Sequence, residues 1–294
     1  MRIEFLKMQG LGNDFLVFDA PAAAAAANLD ATKLRALGDR HTGVGFDQAL
    51  MLETPRDADT RAFYRVFNAD GTEVEQCGNG ARCVAALLYA RAPELGRDFR
   101  MGSLGGVVHA RVTDDGMVSV DMGIPDFNPR ALPFEPERGV VAPGAAAPGA
   151  ALAEAPAYSL SVDGAELEIG AVSMGNPHAV LHVSDVKTAP LARFGPSIEN
   201  HPRFPRRTNV GFMQIVSRNH IRLRVFERGV GETLACGTGA CAAVAVGRRR
   251  GLLDADVRVD LPGGTAKVSW AAVGGHMWLT GPAITVFTGS IDIT

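Results

Sequence analysis

Hydrophobic and polar positions along this chain change period often and over short distances. Arg2–Leu6 and Phe15–Asp19 alternate and read as strands, as does Ala62–Asn68. Ala31–Leu37 has helical spacing behind Asp30, a residue suited to capping. Asn79–Arg91 is apolar enough for a largely buried helix, and Thr238–Arg249 repeats that character. Val107–Val112 and Met117–Met122 make a hairpin turned at Asp114-Asp115-Gly116. Further strands are expected around Ser159–Val162, Leu167–Ala171, Ala179–Val183, Val210–Val216 and Ile221–Phe226. Val257–Leu261, Ala266–Trp270, Met277–Leu279 and Thr285–Phe287 complete the set. Between the two halves, Ala131–Pro156 is rich in Ala, Pro and Gly and loses all periodicity, as an insertion or interdomain loop would.

The pattern contains an internal repeat. Phe67 lies ten residues before Cys77, and Phe226 lies ten residues before Cys236. The first copy runs Phe67-Asn68-Ala69-Asp70-Gly71, then Thr72 to Gln76, then Cys77-Gly78-Asn79-Gly80-Ala81. The second runs Phe226-Glu227-Arg228-Gly229-Val230, then Gly231 to Ala235, then Cys236-Gly237-Thr238-Gly239-Ala240. Each is strand, Gly-containing loop, Cys-Gly-x-Gly-Ala, apolar helix. Two halves built alike can present their equivalent loops to one pocket.

Cys-Gly-x-Gly at a helix start has a physical logic. Glycine lets the backbone turn and approach a ligand, while the first turn offers unpaired N–H donors and partial positive charge. Together they can cradle a carboxylate or phosphate, and they favour the thiolate of a cysteine placed there.

With 294 residues, the chain is long enough for two domains. The net charge is -3 and the one basic run is Arg248-Arg249-Arg250, which disfavours nucleic acid as a partner. No apolar stretch reaches the ~18 residues that span a membrane, and Met1–Gly10 reads as a strand rather than a leader. A cytoplasmic address is the expectation. Four cysteines, Cys77, Cys83, Cys236 and Cys241, are then chemistry or buried apolar groups rather than a disulfide framework. Cys77 and Cys83, or Cys236 and Cys241, would point to different faces of a helix, at offsets of roughly 240° and 140°. They could not chelate together, and no metal is expected. A Cys77–Cys236 disulfide could arise by oxidation, but no Cys-x-x-Cys stands in the chain. Cys83 and Cys241 suit the core.

A thiol on each side of one pocket suits inversion of a stereocentre: one group removes a proton as the other delivers one to the opposite face. Amide dipoles at two helix starts could stabilise the carbanion. No Lys stands in a Schiff-base motif, and no cofactor is required.

These residues resemble the diaminopimelate epimerase family. The matching segments begin with Met8-Gln9-Gly10-Leu11-Gly12-Asn13-Asp14-Phe15 and Gly43-Val44-Gly45-Phe46-Asp47-Gln48. They continue through Phe67-Asn68-Ala69-Asp70-Gly71 and Cys77-Gly78-Asn79-Gly80-Ala81-Arg82-Cys83. Met174-Gly175-Asn176-Pro177-His178, Thr208-Asn209-Val210, Phe226-Glu227-Arg228-Gly229 and Cys236-Gly237-Thr238-Gly239-Ala240 follow in order. The resemblance implies interconversion of LL- and meso-diaminopimelate on the bacterial route to lysine and peptidoglycan, with Cys77 and Cys236 as the acid–base pair. Gly78, Asn79, Gly237 and Thr238 would bind the reacting carboxylate. Asn13, Gln48, Asn68, Asn176, Asn209, Glu227 and Arg228 would hold the rest, with Arg228 on the distal carboxylate and Glu227 on an ammonium. His178 and Glu227 would bias the thiol pKa values.

The implied fold is α/β (α+β type), with two pseudo-symmetric halves, each a curved, mostly antiparallel sheet around a central helix, and the site in the cleft. The expected halves are residues 1–127, completed by 282–294, and residues 128–281. A homodimer and a small-molecule substrate are the expected partners. Three departures stand out: Ala179 where the family often has Cys, a long Ala131–Pro156 stretch, and Phe287 where a dimer-packing Tyr is expected. Proline racemases and hydroxyproline epimerases instead resemble a Cys-Gly-His-Gly first motif and an Asp-Arg before the second.

Overall fold

The computed structural model describes residues 2–19, 29–136 and 157–292. The Ala22–Ala27 run and residues 137–156 of the Ala/Pro/Gly-rich stretch lie outside the described residues. The first half of the chain forms β1 (Arg2–Gly10), β2 (Asn13–Asp19), α1 (Ala31–Gly38), β3 (Gln48–Glu53), β4 (Phe63–Asn68), β5 (Glu73–Val74), α2 (Gly78–Arg91), β6 (Asp98–Ser103), β7 (Gly106–Val112) and β8 (Val118–Asp121). The second forms β9 (Tyr158–Val162), β10 (Ala165–Ser173), β11 (Pro177–His182), α3 (Leu191–Glu199), β12 (Asn209–Ser217), β13 (His220–Glu227), β14 (Gly231–Thr233), α4 (Gly237–Arg249), β15 (Asp256–Leu261), β16 (Gly264–Ser269), β17 (Trp278–Gly281) and β18 (Ile284–Asp292). This is a mixed α/β protein. Among the described residues no helix is long and apolar enough to cross a membrane.

The chain divides into two units. One is Met1–Asp121 with Thr280–Thr294; the other is Met122–Leu279. In the first unit β1–β2 is antiparallel, β2–β3 parallel, β3–β4 and β4–β5 antiparallel, β4–β6 parallel, and β6–β7 antiparallel. The second unit has the same series from β10 to β16. The return strand fits the scheme as well: β18 lies antiparallel to β1 as β9 lies antiparallel to β10. The repeat seen around two cysteines therefore extends through eight strands of each unit. It even includes an ion pair. Arg65 and Arg224, each twelve residues before its cysteine, both place Nε 2.6 Å from a carboxylate, Glu73 and Glu232 respectively.

Helices α2 and α4 occupy equivalent places and are buried because their sequences leave little polar face. In α2, Ala81, Cys83, Val84, Ala85 and Leu87 are buried. In α4, every residue from Gly239 to Gly247 is buried. Small side chains let strands approach closely: a Cβ on Gly170 of β10 would meet Val246 of α4 at 2.3 Å. Around α1, Leu34 and Leu37 pack with Leu16, Phe46 and Met51. Asp30 caps that helix, its carboxylate accepting from Lys33 N at 2.9 Å.

The hydropathy pattern missed α3, although its Leu191, Phe194 and Ile198 are buried at helical spacing. Pro190 before it and Pro196 inside it are helix-breaking signals locally. Packing overrides them. Gly195 sits so close to β13 that a Cβ there would meet Phe226 at 2.7 Å. β3, β6 and the short β5 and β14 were also missed; the last two are too short for any periodicity to register.

Candidate active site

The local fold explains why each cysteine begins a helix. In the first unit β4 ends at Asn68 and the chain reverses at Gly71, whose φ of +84° and closeness to Ala31 (2.5 Å from an added Cβ) admit only glycine. The chain then enters α2 at Cys77, whose Sγ accepts from Gly80 N at 3.5 Å. In the second unit β13 ends at Glu227, and Cys236 occupies the corresponding position before α4. Glycines 80 and 239 are not in the left-handed region; they are required by packing. A Cβ on Gly80 would meet Leu50 at 3.0 Å, and one on Gly239 would meet Val225 at 2.9 Å and Cys236 Sγ at 3.3 Å. The motif thus presses the helix start against its sheet, which fixes the cysteine.

The first unit gathers Asn13, Gln48, Asn68, Cys77, Gly78 and Asn79. Asn13, Gln48 and Asn68 all stand at strand ends: Asn13 opens β2, Gln48 opens β3 and Asn68 closes β4. Gln48 and Asn68 are register partners, and Gln48 Nε2 donates to Asn68 Oδ1 at 3.0 Å. Gln48 Oε1 is buried and has no hydrogen-bond partner among the described residues. Asn13 Oδ1 faces Cys77 Sγ at 3.8 Å and accepts from Asn79 Nδ2 at 3.2 Å. The Asn79 side chain is therefore turned into the protein, where its Oδ1 accepts from Arg82 Nη2 at 2.8 Å. The Asn79 amide is thus engaged on both sides by Asn13 and Arg82.

The second unit gathers Asn176, His178, Asn209, Glu227, Arg228, Cys236, Gly237 and Thr238. His178 pairs with Asn209 across β11 and β12, as Phe15 pairs with Gln48 across β2 and β3. Asn176 Nδ2 donates to Thr238 Oγ1 at 3.4 Å, and that hydroxyl lies 3.6 Å from Cys236 Sγ. His178 Nε2 lies 3.0 Å from Asn176 Oδ1. Asn209 Nδ2 donates to Pro177 O and its Oδ1 accepts from Arg228 N at 2.9 Å. Glu227 Oε1 accepts from Thr233 Oγ1 at 2.5 Å. The Arg228 side chain is exposed and donates to Arg206 O at 3.1 Å.

Electrostatics distinguish these groups. Burial, then the Arg228 charge, pushes His178 down to about 3, so its ring is neutral at ordinary pH. It hydrogen-bonds Asn176, and its influence on a thiol would pass through Asn176 and Thr238. Burial and the neighbouring Glu227 carboxylate push the Cys236 thiol well up. Cys236 is buried, whereas Cys77 is half-buried. Burial also raises Cys83, to about 12, and both Cys83 and Cys241 are fully buried in the core. Among the described residues no group of three or more His, Cys, Asp or Glu is placed to hold a metal ion.

Sequence reasoning passed over a polar cluster behind Asn13. Asn13 Nδ2 donates to Asp47 Oδ2 at 2.9 Å, and Arg40 Nη2 pairs with Asp47 Oδ1 at 2.7 Å. Arg40 also pairs with both oxygens of Asp14, and Lys7 meets Asp14 Oδ2 at 2.7 Å. Burial would raise Asp14, but Arg40 and Lys7 hold its carboxyl well below the usual range. Asp14, Asp47 and Arg82 lay inside the motif segments, so position was a signal even though their roles were not.

Solved structures share this fold at low identity. A probable proline racemase from Agrobacterium radiobacter K84 matches with a TM-score of 0.67 at 17% identity, covering 99% of this chain and 93% of that one. A hydroxyproline epimerase from Agrobacterium vitis matches at 0.66 and 14%, covering 99% and 92%. A Bacillus anthracis phenazine biosynthesis protein of the PhzF family matches at 0.65 and 17%, covering 100% of each. The architecture is thus that of the racemase, epimerase and PhzF class.

The family model for diaminopimelate epimerase matches residues 5–128 and 170–286, and the chain belongs to that family. Its relatives include the diaminopimelate epimerases of Thioalkalivibrio sulfidiphilus (54% identical over 295 residues) and Laribacter hongkongensis (52% over 295), with 100% of each chain covered. That of Nitrosomonas europaea is 50% identical over 294 residues with the same coverage.

Proposed function

We propose that this chain is an isomerase that interconverts LL- and meso-2,6-diaminopimelate without a cofactor, in the supply of lysine and peptidoglycan precursors. The observation that carries the reading is the duplicated helix start. Each unit opens a buried helix with Cys-Gly-x-Gly, and each surrounds that start with amides, hydroxyls or charges at equivalent strand ends. Family membership supplies the substrate.

In this reading Cys77 and Cys236 act on opposite faces of one α-carbon. One, as thiolate, takes the α-proton while the other, as thiol, delivers its own; the protein ends with the two protonation states exchanged. Gly78, Asn79, Gly237 and Thr238 hold the reacting carboxylate at the starts of α2 and α4, where the N–H dipoles stabilise charge as the carbanion forms. Gln48 Oε1, a buried acceptor without a partner among the described residues, suits an ammonium donor. Asn13, Asn68, Asn176 and Asn209 supply further neutral contacts. Glu227 suits an ammonium, and the exposed Arg228 guanidinium suits the distal carboxylate by bidentate pairing. Glu227 holds Cys236 toward the thiol, and His178 acts as a neutral support for Asn176. The working form is a cytoplasmic homodimer acting on a small molecule, with neither nucleic acid nor membrane as partner.

The test is incubation of LL-diaminopimelate with reduced protein in heavy water. Deuterium should enter at one α-carbon as the meso form appears. Turnover of proline or hydroxyproline with none of diaminopimelate would overturn the assignment.

A further inference from the structure

The amide chain beside Cys77 has its direction fixed by an ion at each end. Arginine can only donate, so the atom of Asn79 that meets Arg82 Nη2 at 2.8 Å must be its carbonyl oxygen. Its Nδ2 must then face Asn13, where it meets Oδ1 at 3.2 Å. At the far end a carboxylate can only accept. The atom of Asn13 that meets Asp47 Oδ2 at 2.9 Å must be Nδ2, which again leaves Oδ1 toward Asn79 and Cys77. Both ends of the chain therefore impose the same orientation on Asn13. Asp47 is itself held: Arg40 pairs with its second oxygen at 2.7 Å, and Asp14 N donates to the first at 3.1 Å.

We propose that Asp47 is a positioning residue that acts through Asn13, holding its side chain so that Cys77 faces a hydrogen-bond acceptor and is favoured as the thiol. This rests on the reading of Cys77 as one of the two bases. With Asp47 present, a Cys77 thiolate can recruit the Asn13 NH2 only if Asn13 reverses and gives up both its bonds, one of them to a charge. Without Asp47, reversal gives up only the neutral bond to Asn79. A hydrogen bond to an ion is about twice as strong as a neutral one, so the thiolate then gains more than it loses. Arg82 opposes reversal from the other end, which keeps the gain modest. Among the described residues, Tyr64 on β4, raised by burial, and Cys83 on α2 also interact electrostatically with Cys77, and Arg82 on α2 with Cys83. None of them bonds Asn13 in place of Asp47.

The test reads Cys77 directly and needs no turnover. The rate of iodoacetamide alkylation is followed against pH, with the Cys77 and Cys236 peptides resolved by mass spectrometry. In Asp47→Ala the Cys77 midpoint should fall by roughly half to one pH unit, while that of Cys236 stays put. Asp47→Asn, which keeps the shape and loses the charge, should move it the same way by less, and serves should the alanine variant not fold. Removing a negative charge near any thiol would also lower its midpoint, so the deciding measurement uses an Asn13→Ala background. There the shift at Cys77 should shrink to the part that the lost charge gives through space, well below the shift seen with Asn13 present. An unmoved midpoint in folded single variants overturns the proposal, and so does a shift that is undiminished without Asn13. A protein that passes this test yet fails to epimerise diaminopimelate would leave the positioning role standing and remove the substrate assignment.

Discussion

The two units use one scaffold to surround their cysteines with opposite kinds of polar chain. Asn13 and Asn176 stand two residues before register partners Phe15–Gln48 and His178–Asn209, and each meets the residue two places after its cysteine. In the first unit the chain runs between Arg82 and Asp47, so ions fix its direction. In the second it runs through neutral His178, Asn176 and Thr238, all of which can donate or accept. At the end of the preceding strand, Asn68 in one unit corresponds to Glu227 in the other, and only Glu227 adds a charge beside its thiol. Duplication preserved geometry and allowed electrostatics to diverge. The two surroundings reach the thiol by different routes, a fixed acceptor beside Cys77 and burial with a neighbouring carboxylate beside Cys236.

The strongest way to break this comparison is to remove either thiol. Cys77→Ala and Cys236→Ala should each lower epimerisation roughly 10³-fold or more, since each deletes the acid of one direction and the base of the other. Comparable losses in both directions support equal partnership. Full activity in either variant would reduce that cysteine to a packing residue.

A smaller effect concerns His178, which stands where the first unit has Phe15. Folding pushes its pKa down to about 3, against 6.5 in the unfolded chain. Between these values the unfolded chain binds a proton that the folded chain refuses, so stability falls as pH drops below about 6.5 and is unaffected above it. From pH 6.5 to 4.5 this amounts to about 2–3 kcal/mol. Urea unfolding of His178→Phe across that range should show a correspondingly flatter curve than wild type. Parallel curves would mean that the ring is not held neutral by burial.

The smallest expected difference lies in the duplicated surface pairs. Arg65–Glu73 and Arg224–Glu232 share their geometry and are partly exposed. Arg65→Met and Arg224→Met should therefore each cost less than about 1 kcal/mol in chemical denaturation. A loss above about 2 kcal/mol in one alone would show that the pairs have different work to do.

Much of this protein is legible in its sequence. Helix α2 was legible because its apolar residues leave no choice of exposed face, and α1 because Asp30 marks its start. The two Cys-Gly-x-Gly starts were legible as a repeat because spacing and residue type recur together. Helix α3 was not, because two prolines speak against it locally and only the fit of Gly195 against Phe226 favours it. The second glycine of each motif was legible as a requirement, but its cause was not: the pressure of Leu50 and Val225 exists only after the sheets form.

By itself the sequence determined the chemistry on offer: two thiols at helix starts, and a set of amides, carboxylates and guanidiniums in ordered motifs. Those are matters of residue type and short spacing, which local structure converts directly into position. Tertiary structure alone decided which way each amide points and which thiol is buried. Asp47 reaches Asn13, and Arg82 reaches Asn79, through hydrogen bonds whose direction depends on what lies at the other end. His178 is neutral, and Cys236 raised, because packing excludes water from them. Desolvation and hydrogen-bond direction belong to the surroundings of a side chain, and the surroundings are assembled from residues far apart in the chain.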